Sequence, residues 1–124
     1  MNSAKHLAQA AVILAGMHKL AIPDDYLAIV DGAMVVGYHL GNALLHAHGV
    51  AADSEHTNTP SKLTRDIETL PAQIQPAFVA FAELEKFRFD YVRNSSIYDK
   101  RIGVEVWRCL EVMQQACESS PEYR

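Results

Sequence analysis

Two groups of side chains in this sequence could do chemistry. The first is a set of imidazoles. His39, Asn42 and His46 follow one another at steps of three and four, which puts them in one row if the segment is helical. With Asp53, Glu55 and His56 in the segment that follows, there are nitrogen and oxygen donors enough for a zinc or iron site in a bundle. The spacing fits no specific metal motif. His39 and His46 are two turns apart, about 10 Å along a helix axis, too far to share one ion without large convergence, and His48 points away from His46. Buried, hydrogen-bonded histidines at a core or dimer boundary are therefore the expectation. His39, His46 and His56 remain the weak metal candidates, and no cofactor is implied.

The second group is basic. The chain carries a formal charge of −4, which argues against a protein that coats itself in nucleic acid. The distribution is uneven, however. Between Lys86 and Arg108 stand six cations (Lys86, Arg88, Arg93, Lys100, Arg101, Arg108) against Asp90, Asp99 and Glu105, a local balance of +3, which leaves −7 for the rest. One reading is an ordinary solvated surface; the sharper one is an anion-binding face. Other constellations are missing. The sequence has no Gly-rich phosphate loop, no Glu-x-x-His pair of the di-iron bundles, no Cys-x-x-Cys and no nucleophile elbow. Ser95 and Ser96 have no evident base beside them.

The elements that must position these groups are helices. From Ser3 to about Met17, Leu7, Ala11 and Leu14 recur at helical spacing with Ser3 as a cap, and His18, Lys19 and Pro23 close the element. A long apolar helix from about Asp24 to His48 follows, with Asp24 or Asp25 available to cap it. Between Tyr26 and Leu45 its only strongly polar side chains are Asp31, His39 and Asn42, which approaches the length and apolarity of a membrane span. An ionisable Asp and a His within it, with no basic clusters at its flanks, favour a buried central helix. Ala33, Gly37 and Gly41 lie four apart on one face and predict close approach by another helix, within the domain or across a dimer.

Gly49 ends this helix, residues 51–60 read as a polar loop, and a short helix is expected from Ser61 to about Leu70, then a turn punctuated by Pro71 and Pro76. Ala80, Leu84, Phe87 and Tyr91 mark a third main helix ending near Arg93. Val106, Leu110, Met113 and Cys117 mark a fourth, which Asp99 could cap. Cys109 and Cys117 are eight residues apart in that helix, about 12 Å at its rise, which excludes a disulfide between them. No alternating strand pattern of useful length occurs. One all-α domain over residues 1–124 follows: an up-and-down bundle of four main helices plus one short one. The start Met-Asn-Ser-Ala-Lys-His lacks the features of a signal peptide, so a cytoplasmic protein with no membrane partner is expected.

Three stretches together resemble the HEPN superfamily of small helical bundles. They are Tyr38-His39-Leu40-Gly41-Asn42-Ala43-Leu44-Leu45-His46-Ala47-His48-Gly49 with the loop and short helix after it, Leu84-Glu85-Lys86-Phe87-Arg88-Phe89-Asp90-Tyr91, and Arg93-Asn94-Ser95-Ser96-Ile97-Tyr98. The resemblance covers most of residues 26 to 118. It implies a homodimer and, in catalytically active members, an Arg, a polar residue, a short gap and a His that cleave RNA. Arg grips phosphate through its planar fork, and His moves protons near neutral pH. Arg93 and Asn94 match the start of that motif, but Tyr98 stands where His is expected. A phenol of reference pKa about 10 is a poor general base at neutral pH.

The residues and the resemblance together point to an HEPN-like protein that binds RNA, a nucleotide or a partner protein rather than cutting RNA. The expected ligand-binding residues are Arg88, Arg93, Asn94, Tyr98, Lys100 and Arg101. Two alternatives stay open: a divergent, metal-independent RNase of the toxin-antitoxin type using Arg93 and Asn94, with Tyr98 or a histidine from elsewhere such as His56 in place of the missing group, and a bundle that binds a metal or small ligand. A competing structural reading is that Arg93 and Asn94 simply terminate a helix, where a cation and a residue tolerant of left-handed backbone are both favoured.

Overall fold

The computed structural model describes residues 1–55, 67–94 and 99–120. It is an all-α bundle of four main helices: α1 (Ser3–Met17), α2 (Tyr26–Ala47), α3 (Gln75–Phe87) and α4 (Gly103–Glu118). No strand occurs among the described residues. Contacts along the helices fix their directions. Ser3 meets Ala43 and Met17 lies against Gly32, so α1 and α2 are antiparallel. Gly41 faces Phe78, and Gly37 faces Phe81 and Leu84, so α3 runs back against α2. Gly103 is beside Ile29 and Cys117 reaches the Leu40 carbonyl, which sets α4 parallel to α2. The topology is up-down-up-down, as the helix spacing predicts.

The long helix is the axis of this arrangement. It packs against each of the other three, and α2, α3 and α4 also contact one another in a three-way core. Eleven of its 22 residues are buried, and about half of its most apolar stretch, 56%, is taken up by the core. Its Ala33-Gly37-Gly41 face does meet another helix, but aromatic side chains, not backbone, fill the space. A Cβ at Gly37 would lie 2.8 Å from Phe81 Cδ1, and one at Gly41 would lie 3.1 Å from Phe81 Cε2. The absence of side chains on α2 is thus the seat for Phe78 and Phe81, both only 1% exposed.

Several expected details shift. Asn2, not Ser3, caps α1, its side chain accepting from Lys5 N at 2.9 Å; Ser3 is buried instead. The buried face of α1 is Ser3, His6, Ala10, Leu14 and Met17, rotated from the Leu7-Ala11-Leu14 stripe, with Ala11 exposed. Both stripes have helical spacing, and the apolar count alone favours the wrong one because the true face begins with Ser and His. Asp25 occupies the cap position of α2 but bonds backwards, accepting from Ala21 N at 2.7 Å. Of the short helix expected over 61–70, a single 3-10 turn at Ile67–Thr69 falls within the described residues; 61–66 lie outside them. The third helix continues past Phe87 as a π-helical segment, Arg88–Arg93.

Two glycine substitutions should separate packing from propensity. Gly37→Ala gains helix propensity but drives a Cβ into a buried ring, so a net loss of roughly 1–3 kcal/mol is expected. Gly16→Ala, on exposed helix with no atom near the added Cβ, should gain up to about 1 kcal/mol. Urea unfolding of both variants checks the pair, and equal effects would refute the packing argument.

Candidate functional site

The histidine row of α2 is completed by a residue outside it. His6 of α1 is 1% exposed and lies between the two α2 imidazoles, its ring centroid 5.2 Å from that of His39 and 5.3 Å from that of His46. The two-turn gap that prevents His39 and His46 from meeting is bridged from the neighbouring helix. His6 Nδ1 and His39 Nδ1 face each other at 3.0 Å, so one of them donates and the other accepts. His46 is stacked on His6 at 26°, with its Nδ1 3.1 Å from the Ala51 carbonyl and 4.0 Å from Asp53 Oδ1. Tyr38 stands edge-on to both His6 and His39. Asn42, also buried, donates from Nδ2 to the Tyr38 carbonyl at 2.8 Å. Beside the cluster, the buried Ser3 hydroxyl donates to the Ala43 carbonyl at 3.0 Å.

Metal chemistry gets no support from this geometry. Among the described residues no group of three or more His, Cys, Asp or Glu is arranged to hold an ion. The facing Nδ1 atoms of His6 and His39 bond to each other, and His46 is turned toward Ala51 and Asp53. His56, the remaining candidate, lies outside the described residues. His48 is directed elsewhere, as expected, with Nε2 2.9 Å from Ser120 Oγ.

The basic region lies at the other end of α2. Tyr26, at the start of α2, meets Tyr91 edge-on with centroids 6.5 Å apart, whereas His46 is twenty residues further on, about 30 Å along the axis. Tyr91 is buried on the π-helical segment. Burial and the nearby Asp99 carboxylate push its phenol above the usual range, against a lowering hydrogen bond with the Asp99 backbone. That contact puts the turn Lys100–Ile102, capped by Asp99 Oδ1 accepting from Arg101 N at 3.0 Å, next to the end of the third helix. Arg93 and Asn94 on one side and Lys100 and Arg101 on the other are all exposed.

The six cations divide into two kinds. Arg88 Nε is 3.0 Å from Asp31 Oδ1. Arg108 is 2.9 Å from Glu105 and 3.4 Å from Glu83. Both are neutralised in place. Lys86, Arg93, Lys100 and Arg101 make no ion pair among the described residues, and the last three lie at the Tyr91–Asp99 end. The grouping of these three at one end could not be read from charge alone, because the sequence does not show which cations are already engaged. Asn94 is the cap of the segment, its N–H bonded to the Phe89 carbonyl at 2.9 Å with right-handed backbone, φ −98°. It thus ends the helix without the left-handed turn. Tyr98, with the rest of 95–98, lies outside the described residues, so the geometry of the motif is fixed only for Arg93 and Asn94.

Burial disfavours the thiolate form of both cysteines. Both are free and buried, in agreement with the exclusion of a disulfide. Burial, then the Glu83 carboxylate, pushes the Cys109 thiol up to about 11, and burial pushes Cys117 up to about 12. Comparison of the chain with models of protein families, with characterised proteins and with solved structures finds no match.

The thiols give a direct check. At neutral pH both should remain protonated and label slowly with a disulfide reagent in the native state, reacting promptly once denaturant is added. A fast native reaction of either one would contradict the burial described.

Proposed function

We propose that this chain is an HEPN-like helical bundle that binds single-stranded RNA or a nucleotide through the phosphate groups, using the basic end formed by Arg93, Asn94, Lys100 and Arg101. The observation that carries the reading is the division of the cations. Arg88 and Arg108 are held by carboxylates, whereas Arg93, Lys100 and Arg101 are exposed and make no ion pair among the described residues. They flank the Tyr91–Asp99 contact. Three uncommitted cations on adjoining segments suit phosphate oxygens, which Arg can grip through two parallel N–H groups. The π-helical segment that carries Arg93 adds weight, since such segments are frequent at functional sites.

The role is one of binding rather than cleavage. Tyr98 occupies the place where the RNase-type motif has His, and neither cysteine offers a thiolate nucleophile at neutral pH. A cytoplasmic homodimer, bringing two basic ends into one cleft, completes the proposal. Within it, Arg88 is demoted from direct ligand to structural ion pair with Asp31.

Fluorescence anisotropy of a labelled single-stranded RNA at low salt tests this. Binding should weaken with salt at a log-log slope near −2, the value for about three phosphate contacts at roughly 0.7 each. Arg93→Ala should weaken binding and lower the slope by about 0.7, and Arg88→Ala should leave the slope unchanged. No binding by the native protein, or equal losses in both variants, would sink the assignment.

A further inference from the structure

Three of the four phenylalanines are spent on the interior of the bundle: Phe78 and Phe81 are 1% exposed, and Phe87 packs against the core. Phe89 is not. It is 57% exposed, and it is the one exposed Phe, Trp or Tyr side chain among the described residues. Its outward position follows from the winding, since Tyr91, two residues on, is the buried member of the π-helical segment and a two-residue step crosses to nearly the opposite side of a helix.

The neighbours of this ring along the helix are charged. Lys86 stands three residues before Phe89 and Arg93 four after it, spacings that make surface neighbours of all three. Asn94, five residues on, donates its N–H to the Phe89 carbonyl at 2.9 Å, so the widened turn brings it beside the same spot. Lys86 and Arg93 are both exposed, and neither makes an ion pair among the described residues. Lys100 and Arg101 lie beyond, at the Tyr91–Asp99 contact. Of the acidic groups along this stretch, Asp31 is held by Arg88 and Asp99 accepts from Arg101 N. Half-buried Glu85 and Asp90 are left against four cations.

We propose that Phe89 is a stacking platform for an unpaired nucleobase, a role that rests on phosphate binding by Arg93, Lys100 and Arg101 and that makes single-stranded RNA the ligand of the basic end. A single strand repeats phosphate, base, phosphate, and Lys86, Phe89 and Arg93 repeat cation, ring, cation. Lys86 and Arg93 are about two turns apart, roughly 10 Å along the axis, farther than one phosphate group spans. Two phosphates therefore flank the stacked base. A phenyl face accepts any base, which suits a strand held without regard to its sequence. Bases paired inside a duplex offer no free face, and an inorganic polyphosphate carries none. A protein partner suits the surface less well, because the cores of protein interfaces are depleted of charge, Lys in particular, and this ring stands among uncommitted cations.

Fluorescence anisotropy on the full chain at low salt, with a labelled oligoadenylate and an abasic ribose-phosphate strand of equal length, separates the two halves of the site. Native protein should bind the oligoadenylate about fivefold or more tightly than the abasic strand, with similar salt slopes because the phosphate contacts are shared. Phe89→Ala should lose that preference and leave the slope unchanged. Phe89→Trp should keep it, and its added indole emission should be quenched by adenine over the signal of the native Trp107. The position is exposed, so both variants should fold, which circular dichroism checks. Equal binding of the two strands by native protein, or an unaltered preference in Phe89→Ala, would overturn the platform while leaving phosphate binding in place. Binding of neither strand would remove the phosphate contacts and the platform with them. Self-association that Phe89→Ala abolishes without changing the strand preference would overturn it too, assigning the ring to a second copy of the chain.

Discussion

Phe78 and Phe81 of α3 occupy the space that side chains at positions 37 and 41 of α2 would otherwise fill, and this contact sets how closely the second and third helices approach. With that distance fixed, Leu84 and Tyr91 extend the same face toward Tyr26. α4 closes over the pair with Val106, Leu110, Met113 and Cys117, all buried. Glycine costs about 1 kcal/mol of helix propensity at each interior position, while a fully buried phenylalanine returns roughly 1.5–3 kcal/mol. The exchange favours the notch. It also explains why the longest helix, the one with most apolar surface, lies at the centre of the bundle.

The same helix carries unlike environments at its two ends. Near Tyr26 the neighbours are Tyr91, the Asp31–Arg88 pair and the exposed cations beyond. Near His46 they are the imidazoles, Asn42 and the buried Ser3 hydroxyl. Polar groups that are buried need partners, and here the partner is supplied by α1. The first helix therefore does two things: Ser3 and His6 cover the polar seam of the second, while Ala10, Leu14 and Met17 join the core.

Much of the architecture was legible in the sequence because apolar spacing reports it faithfully for α2, α3 and α4. The Gly37–Gly41 face announced a close contact, and the His39-Asn42-His46 row announced a polar seam. Neither His6 nor its role could be found the same way. Which rotation of α1 is buried depends on what waits on α2, and a face opening with Ser3 and His6 looks polar until its partner row is known. A more apt signal was available in retrospect: Ser3, His6, Ala10, Leu14 and Met17 also follow helical steps, and a polar row on one helix calls for a polar start on another. The sorting of the cations was hidden for a related reason, since Asp31 and Arg88 are 57 residues apart in the chain.

The π-helical segment Arg88–Arg93 holds an extra residue within its turns. One residue advances an α-helix by about 100°, so whatever follows the segment leaves the helix from a different side than uninterrupted winding would allow. The extra residue thus acts as a phase shifter. Upstream, Ala80 and Leu84 remain in register with the core; downstream, the exit toward α4 is turned. Loss of one residue there would be absorbed as ordinary helix with little harm to the core, yet it would redirect the exit at Asn94.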